Sequence, residues 1–383
     1  MMDLTPSEAQ RMLRHSAERF IAEHYDQAAR RHAMQDPMGF KRENWRKLAD
    51  LGWLGLPFPE EVGGFGGGPV EVAILMEEFG RGLATEPYLS TVLLAGTLIA
   101  ECGTQEQQMV LLPAIINGER LLSFAHYESD ARAGLSEIHT VAQADNQGWM
   151  LHGRKMAVLD AVSADVHMVS ARLPDVQGAG LALFLVPKDA AGVRLRDAPR
   201  LGGGRVAELT FERTLLPPDA RLGTGGDVLP AIEGVVDRAI AALCAEAAGM
   251  MRSMFDATLD YTKVRKQFDR PLAANQVIRH RLADMYVQCE EARAMAARAA
   301  LPVGADSDST QRSLAASGAK VKVGRCARNV AEQAVQLHGA MGVTDELDLG
   351  LYFKRLLVFE ALFGSVDYHL QRHAKLFGNS RSE

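Results

Sequence analysis

Cysteine is scarce in this chain of 383 residues, which contains only four. They stand at Cys102, Cys244, Cys289 and Cys326, far apart and mostly within apolar helical text, and no two of them form a CxxC pair. This spacing suits neither a zinc site nor a redox-active disulfide. We therefore predict that all four are reduced core residues and that the chain holds no metal.

An excess of positive charge is also absent, since 42 lysines and arginines stand against 48 aspartates and glutamates. The net charge of −6 disfavours a nucleic-acid partner. No apolar run is long enough to span a bilayer, and the N-terminus lacks the residue order of a signal peptide. We expect a cytoplasmic protein.

Several catalytic signatures are missing as well. The sequence has no HExxH, no ExxH pair of the di-iron type, no GxSxG elbow and no Walker loop. The glycine-rich segment 54–71 could expose N–H groups to a phosphate, but no Lys-Ser/Thr follows it. For that segment we predict an irregular turn that leads into a helix over 70–80.

What the sequence does contain is a helical, then β, then helical order. Thr5-Pro6-Ser7-Glu8 predicts a capped helix start with proline in the first helical position. Short alternating runs separated by glycines predict a β domain after residue 120. Four apolar blocks at 228–263, 275–300, 309–336 and 347–377 then predict a bundle.

We thus predict an α+β chain that is mainly α. Its three domains are an N-terminal helical domain over 1–120, a middle antiparallel β domain over 121–226 and a C-terminal four-helix bundle over 227–383. The lack of βαβ alternation excludes a doubly wound dinucleotide fold.

A cationic corner joins the first two bundle helices within residues 261–285. Arg265, Gln267 and Phe268 precede the helix stop at Pro271 and offer an anion clamp, an amide and an aromatic face. They suit a ligand that carries both a phosphate and a ring. The alternative is an ordinary helix end, at which the arginine interacts with the C-terminal dipole.

A second corner follows the third bundle helix at 336–344. Gln336, Gly339 and Gly342 form a glycine-rich helix end, where the backbone can approach a ligand closely. One such corner is usually only a helix stop. Two of them at adjacent ends of one bundle favour a shared ligand.

The motif YxxxRxQF, followed by QxHGxxGxT and set in this domain order, closely resembles the acyl-CoA dehydrogenase family over essentially the whole chain. The resemblance implies FAD as cofactor, gripped at its ADP half for a neighbouring subunit. It assigns that grip to Arg265, Gln267, Phe268, Gln336, Gly339 and Gly342, and it adds Ser365 to the cofactor-binding candidates. Gln276 also matches the motif, without an assigned contact.

The resemblance further implies α,β-dehydrogenation of an acyl-CoA thioester to a trans-2-enoyl-CoA. A carboxylate base takes a proton from one face of the acyl chain while a hydride leaves the other face for the flavin. Electrons would pass to an electron-transfer flavoprotein, and the chain would form a homo- or hetero-tetramer with a second acyl-CoA dehydrogenase chain.

The chain departs from this pattern at several working positions. Counted without gaps from Gly342, the usual base position falls on Phe363, and the alternative base position falls at or near Ala239; neither residue can accept a proton. The flavin-facing Trp-Ile-Thr is replaced by residues 156–159, Met-Ala-Val-Leu, and the Thr-Glu-Pro segment by AHYESDARAG at 125–134. Asp269 stands where the motif has glycine.

Glu246 is our candidate base, because it interrupts the apolar run AIAALCAEAAGMM. The alternative is a structural ion pair with an arginine from a facing helix. Glu360, one turn before Phe363, is a second candidate or an ordinary salt-bridged residue. Asp237-Arg238 suits either a surface pair or a contact to the CoA phosphates.

These departures resemble, more narrowly, the small subunit of two-component enzymes of the pimeloyl-CoA dehydrogenase type. Our leading hypothesis is a subunit of an acyl-CoA dehydrogenase. The alternative is a catalytically degenerate partner that completes the FAD site of a second chain. A flavin enzyme of the same fold with another substrate, such as an oxidase, is a third possibility.

Overall fold

The computed structural model describes residues 6–128, 134–174, 180–301 and 309–379. It confirms the predicted order of a helical region, a β region and a helical bundle. Within these ranges, no helix is both long enough and apolar enough to cross a membrane.

From residue 6 onwards, the N-terminal region contains six α-helices. They are α1 Glu8–His24, α2 Gln27–Gln35, α3 Arg42–Asp50, α4 Pro69–Gly82, α5 Thr97–Cys102 and α6 Gln105–Ile116. The predicted start of α1 was wrong, because Pro6 lies outside the helix and the cap is Ser7; Thr5 lies outside the described residues. The Ser7 hydroxyl accepts the N–H of Gln10, and the Gln10 side chain accepts the N–H of Ser7, so this reciprocal pair sets the helix start.

The glycine-rich segment between α3 and α4 forms short 3₁₀ turns at Trp53–Gly55 and Glu60–Val62. The helix that follows it, α4, is slightly longer at both ends than predicted. A buried π-helical segment, Tyr88–Gly96, then runs into α5. π-Helical geometry is uncommon and often accompanies a functional site, and this segment forms one wall of the cavity described below.

Seven strands form the middle sheet in the part of the chain that the structure describes. They are β1 Leu122–Ala125, β2 Val141–Asp145, β3 Gly148–Leu159, β4 Val166–Arg172, β5 Leu181–Pro187, β6 Val193–Pro199 and β7 Arg205–Leu216, in the order β1-β4-β2-β3-β7-β6 with β5 also on β4. The sheet is mixed rather than purely antiparallel, because β1 pairs with β4 in parallel and β2 touches β4 in the same sense. A period of two identifies strands but not their direction, so the sequence could not reveal this pairing.

The C-terminal region packs long helices around one core. They are α7 Leu229–Val264, α8 Gln276–Ala300, α9 Ser309–His338, α10 Leu349–Ala361 and α11 Val366–Asn379, with the short strands β8 Lys266–Gln267 and β9 Arg270–Pro271 between α7 and α8. The fourth predicted block is therefore two helices. It breaks at Phe363 and Gly364, whose φ angles of +57° and +112° cannot continue a right-handed helix.

Candidate functional site

The two motif corners lie side by side at one end of the bundle. The ring of Tyr261, in the last turns of α7, stacks on the ring of His338 at the end of α9, with 4.3 Å between centroids. The Tyr261 hydroxyl donates to the carbonyl oxygen of His338 at 3.3 Å. The fold thus brings together two segments that are far apart in the sequence.

The first corner is a β-hairpin that presents its side chains to solvent. Phe268 and Asp269 form its tip with φ angles of +52° and +61°, a left-handed conformation that is strained for residues other than glycine. Arg265 and Gln267 are exposed, and Phe268 is 95% exposed. A strained turn that holds an aromatic ring in water is costly in isolation, so it favours a partner molecule at this place.

The second corner depends on glycine. Gly339 has φ +60°, and a Cβ atom there would meet nothing within 4 Å, so its outer side is open. A Cβ on Gly342 would lie 2.8 Å from the carbonyl oxygen of Val335, which explains its glycine. Gln336 is exposed beside them. Ser365 does not join this group, because it lines a separate cavity.

That cavity has a volume of about 630 Å³ and lies between the π-helical segment, the sheet and the α10–α11 turn. Its size is that of a small-molecule site. It is lined by Ser90, Leu94, Phe124, Tyr127, Glu128, Met156, Ala157, Leu159, Ala361, Leu362, Phe363, Gly364, Ser365 and Tyr368. The positions predicted to differ from the family pattern, Phe363 and Ala157, are thus both on its wall.

Two buried side chains form hydrogen bonds to the backbone of the α10–α11 turn. The Lys320 ammonium of α9 donates to the carbonyl oxygens of Phe359 and Leu362, the latter at 2.8 Å, and the His369 ring lies 2.9 Å from the carbonyl oxygen of Phe363. Burial lowers the pKa of His369 to about 4, so the ring is neutral and its Nε2–H donates to that carbonyl. These contacts fix the backbone on which Phe363 and Ser365 stand.

Glu128 is the one carboxylate among the described lining residues, and its oxygens are already occupied. Oε1 accepts from Lys155 Nζ at 2.7 Å and from the hydroxyl and the N–H of Thr140 at 2.6 Å and 3.0 Å, and Oε2 accepts from the N–H of His139 at 2.7 Å. Burial opposes ionisation, but the ion pair with Lys155 and the hydrogen bonds from Lys155, Thr140 and His139 together outweigh it and lower the pKa of Glu128. A carboxylate with a lowered pKa and four hydrogen bonds is a poor base.

Residues 129–133 of the segment AHYESDARAG lie outside the described residues. The part before them places Tyr127 and Glu128 on the cavity wall.

Glu246 lies outside the large cavity, beside a smaller one of about 30 Å³ that has room for roughly one water molecule. Its side chain is buried and accepts from Arg355 Nη2 at 2.9 Å and from Arg355 Nε at 3.3 Å. Arg355 also donates to the carbonyl oxygens of Ala84 and Gly203, both at 3.2 Å. The ion pair therefore ties α7 and α10 to the N-terminal region and to the β6–β7 turn.

The other candidate acids have partners of their own. Glu360 pairs with Arg328 of α9 at 3.2 Å. Asp237 does not pair with its neighbour Arg238, because it is buried against Arg372 of α11 at 2.6 Å and accepts from the Ser313 hydroxyl. Arg238 pairs with Glu101 instead.

Three residues in or next to the cavity wall were not predicted from the sequence. Lys320 lies on the apolar face of α9, and Lys155 and Tyr127 lie in segments in which no role was predicted for them. A lysine on an apolar helical face is a usable signal, because it must find partners when it is buried. The identity of those partners depends on long-range packing.

Three family models match the chain. The model described as "Acyl-CoA dehydrogenase, N-terminal domain" matches residues 7–119, the one for the middle domain matches 123–214 and the one for the C-terminal domain matches 231–376.

Curated and solved relatives agree with these matches. The acyl-CoA dehydrogenase FadE12 of Mycobacterium tuberculosis is 30% identical over 349 residues, which cover 89% of this chain and 88% of that protein. A variant of the Tcur3481–Tcur3483 steroid ACAD superposes with a TM-score of 0.87 at 29% identity, covering 98% of this chain and 99% of its own. The ChsE4–ChsE5 complex of Mycobacterium tuberculosis gives a TM-score of 0.88 at 26% identity, with 98% and 99% covered.

Proposed function

This chain belongs to the acyl-CoA dehydrogenase family, and from that premise we propose that it is a subunit of an FAD-dependent enzyme that converts an acyl-CoA thioester to a trans-2-enoyl-CoA. The family consists of oxidoreductases that act on CH–CH groups. The single observation that carries the proposal for this chain is its exposed corner, where Arg265, Gln267 and the strained Phe268 stand clear of the chain's own cavity.

The residues of this chain fit FAD. A guanidinium at Arg265 suits a pyrophosphate, an exposed aromatic face at Phe268 suits an adenine, and the open backbone at Gly339 allows close approach. Because these groups point outward, we propose that they hold the ADP half of an FAD whose ring lies in a neighbouring subunit. When bound, FAD accepts the hydride from the substrate.

The chain's own cavity would seat an acyl thioester or a flavin ring and exclude water. Its wall is mostly apolar, with Leu94, Phe124, Leu159 and Phe363 among the lining residues. Exclusion of water strengthens any hydrogen bond to a thioester oxygen and protects the α-proton transfer from competition.

The catalytic base that we propose is Glu246, which stays a prediction from the sequence. To act as the base, its carboxylate would have to leave Arg355 and contact the substrate. In the assembled complex, Glu246→Gln should abolish dye reduction by acyl-CoA if Glu246 takes the α-proton. Turnover within about twofold of the wild type would assign Glu246 to the ion pair alone.

A second candidate function is a catalytically degenerate partner that completes the FAD site of another acyl-CoA dehydrogenase chain. One observation favours it: within the described part of the cavity wall, Glu128 is the only carboxylate and is fully engaged. We also propose an electron-transfer flavoprotein as acceptor and a tetramer with a second chain. A cytoplasmic location stays a prediction.

The test is co-purification with the product of the adjacent gene, followed by FAD counting and acyl-CoA dye reduction. One FAD for every two chains together with turnover would support the cross-subunit proposal. Absence of both FAD and turnover, for the chain alone and with its partner, would refute it. Oxygen consumption without an added acceptor would instead indicate an oxidase.

A further inference from the structure

The hydroxyl of Tyr127 is a buried donor that lacks a hydrogen-bond partner among the described residues. Tyr127 lines the large cavity, and the centroid of its ring lies 6.0 Å from that of the Phe363 ring. Buried hydroxyl groups in folded proteins nearly always find a partner, because an unmade hydrogen bond costs free energy. The unpaired hydroxyl beside this cavity therefore indicates that the cavity binds a ligand with a hydrogen-bond acceptor.

The backbone on both sides of Tyr127 is held in place. The buried Lys155 ammonium donates to the carbonyl oxygen of His126 at 3.0 Å and to the Glu128 carboxylate at 2.7 Å. The Tyr127 carbonyl oxygen accepts the N–H of Met156 at 2.7 Å. The ring also packs edge-on against His126, with 5.4 Å between centroids. The hydroxyl is thus presented by a fixed segment.

This hydroxyl acts as a donor rather than as a base. Burial raises the pKa of Tyr127 above its ordinary value, so the phenol keeps its proton at any physiological pH.

Two neighbouring polar groups on the wall are already engaged. Glu128 accepts four hydrogen bonds, and the Ser90 hydroxyl donates to Asp160 at 2.7 Å. Because no described residue accepts from the Tyr127 hydroxyl, we expect its acceptor to come from the molecule that the cavity binds.

We propose that Tyr127 donates a hydrogen bond to a carbonyl oxygen of the group bound in this cavity. Two sources carry such an oxygen: the thioester of an acyl-CoA and the ring of a flavin. The inference rests on the proposed function of the same cavity and names a residue that positions or selects its ligand.

The test is Tyr127→Phe in the full chain and in its co-purified complex. Because the variant only deletes an unpaired hydroxyl, the Tm of the ligand-free protein should stay the same or rise. The affinity for one ligand should fall about tenfold, the typical effect of a lost buried hydrogen bond. A lower affinity for FAD, measured by fluorescence titration of the apoprotein, would show that the acceptor is the flavin carbonyl. A lower affinity for butyryl-, octanoyl- or palmitoyl-CoA at saturating FAD would show that the acceptor is the thioester oxygen.

Tyr88→Phe is the matched control. Its buried hydroxyl donates to the carbonyl oxygen of Trp53 at 3.1 Å, so its loss should lower the Tm and leave both affinities unchanged. The inference is overturned if Tyr127→Phe behaves like Tyr88→Phe. A wild-type complex that binds neither FAD nor any of the three thioesters would instead refute the proposed function, and this inference with it.

Discussion

Arg355 is the residue on which three regions of the chain converge. Its guanidinium contacts Glu246, Ala84 and Gly203, and it is almost completely buried. Such a pair need not add net stability, but breaking it leaves a charge buried without a partner.

We therefore expect Arg355→Met to lower the free energy of unfolding by about 3–5 kcal/mol in urea titrations. Adding Glu246→Gln to the same chain should restore part of the loss, because the remaining buried charge disappears. Arg328→Met, which breaks the outlying pair with Glu360, is the control and should cost at most about 1 kcal/mol. Equal costs for the two arginines would contradict a special role for Arg355.

Lys320 should make stability depend on pH in a definite direction. Burial lowers its pKa from 10.5 to about 8. Between these values the unfolded chain holds the proton more tightly than the folded one, so the folded state gains stability as the pH rises.

The measurement is urea unfolding of the wild type and of Lys320→Met from pH 7 to pH 11. Subtracting the two profiles removes the contribution of Lys155, whose pKa burial also lowers to about 8. The wild-type advantage should grow between pH 8 and pH 10.5. A difference that shrinks over this interval would show that Lys320 keeps its proton in the folded state.

At the scale of elements, the break between α10 and α11 shapes the cavity. Gly364 has φ +112°, and a Cβ atom there would lie 2.5 Å from the Tyr368 ring. Gly364→Ala should therefore destabilise the protein by about 1–3 kcal/mol and lower the FAD content of the complex.

Gly350→Ala, in the helix α10 that precedes this turn, is its control. A Cβ on Gly350 would meet nothing within 4 Å, and alanine favours a helix by up to about 1 kcal/mol. Thermal melts of the two variants should shift in opposite directions. A loss of stability at both positions would mean that the turn geometry is not the cause.

Helix blocks were the part of the fold that sequence predicted best. The long runs of α7, α8 and α9 show few breakers, and their ends follow the sequence pattern closely. The split at Phe363 was missed although Gly364 and Ser365, whose hydroxyl accepts the N–H of Tyr368, mark it locally. The carbonyl contacts of Lys320 and His369 accompany that turn. The domain limits 1–120, 121–226 and 227–383 stay a prediction.

In the candidate site, too, the features that are local in the sequence were predicted and the long-range contacts were not. Motif spacing pointed to both corners and to Phe363 at the base position, because those features are local in the sequence. The partner of Glu246 and the clamp of Lys155 around Tyr127 arise from packing between distant segments, which one sequence leaves open.

For the whole molecule, the groups proposed to hold the ADP half of FAD lie on the outer surface, whereas the cavity is inside. This separation means that binding of the ADP half and folding of the chain should respond to different mutations. Arg265 and Phe268 are exposed and contribute little to the core of this chain.

We expect Arg265→Gln and Phe268→Ala to leave the Tm of the isolated chain within about 1 °C, because exposed substitutions rarely exceed about 0.5 kcal/mol. In the co-purified complex each should reduce FAD per chain by tenfold or more after dialysis, since a charge-assisted contact to phosphate or a stacked ring is lost. Arg270→Gln, an exposed arginine in the next strand of the hairpin, is the control and should retain FAD. If all three variants keep their FAD, the corner is an ordinary helix end. The substitution at the Arg265 position can also be made in each chain of the complex separately. If Arg265→Gln in this chain releases FAD and the corresponding change in the second chain does not, this chain alone holds the cofactor across the subunit boundary.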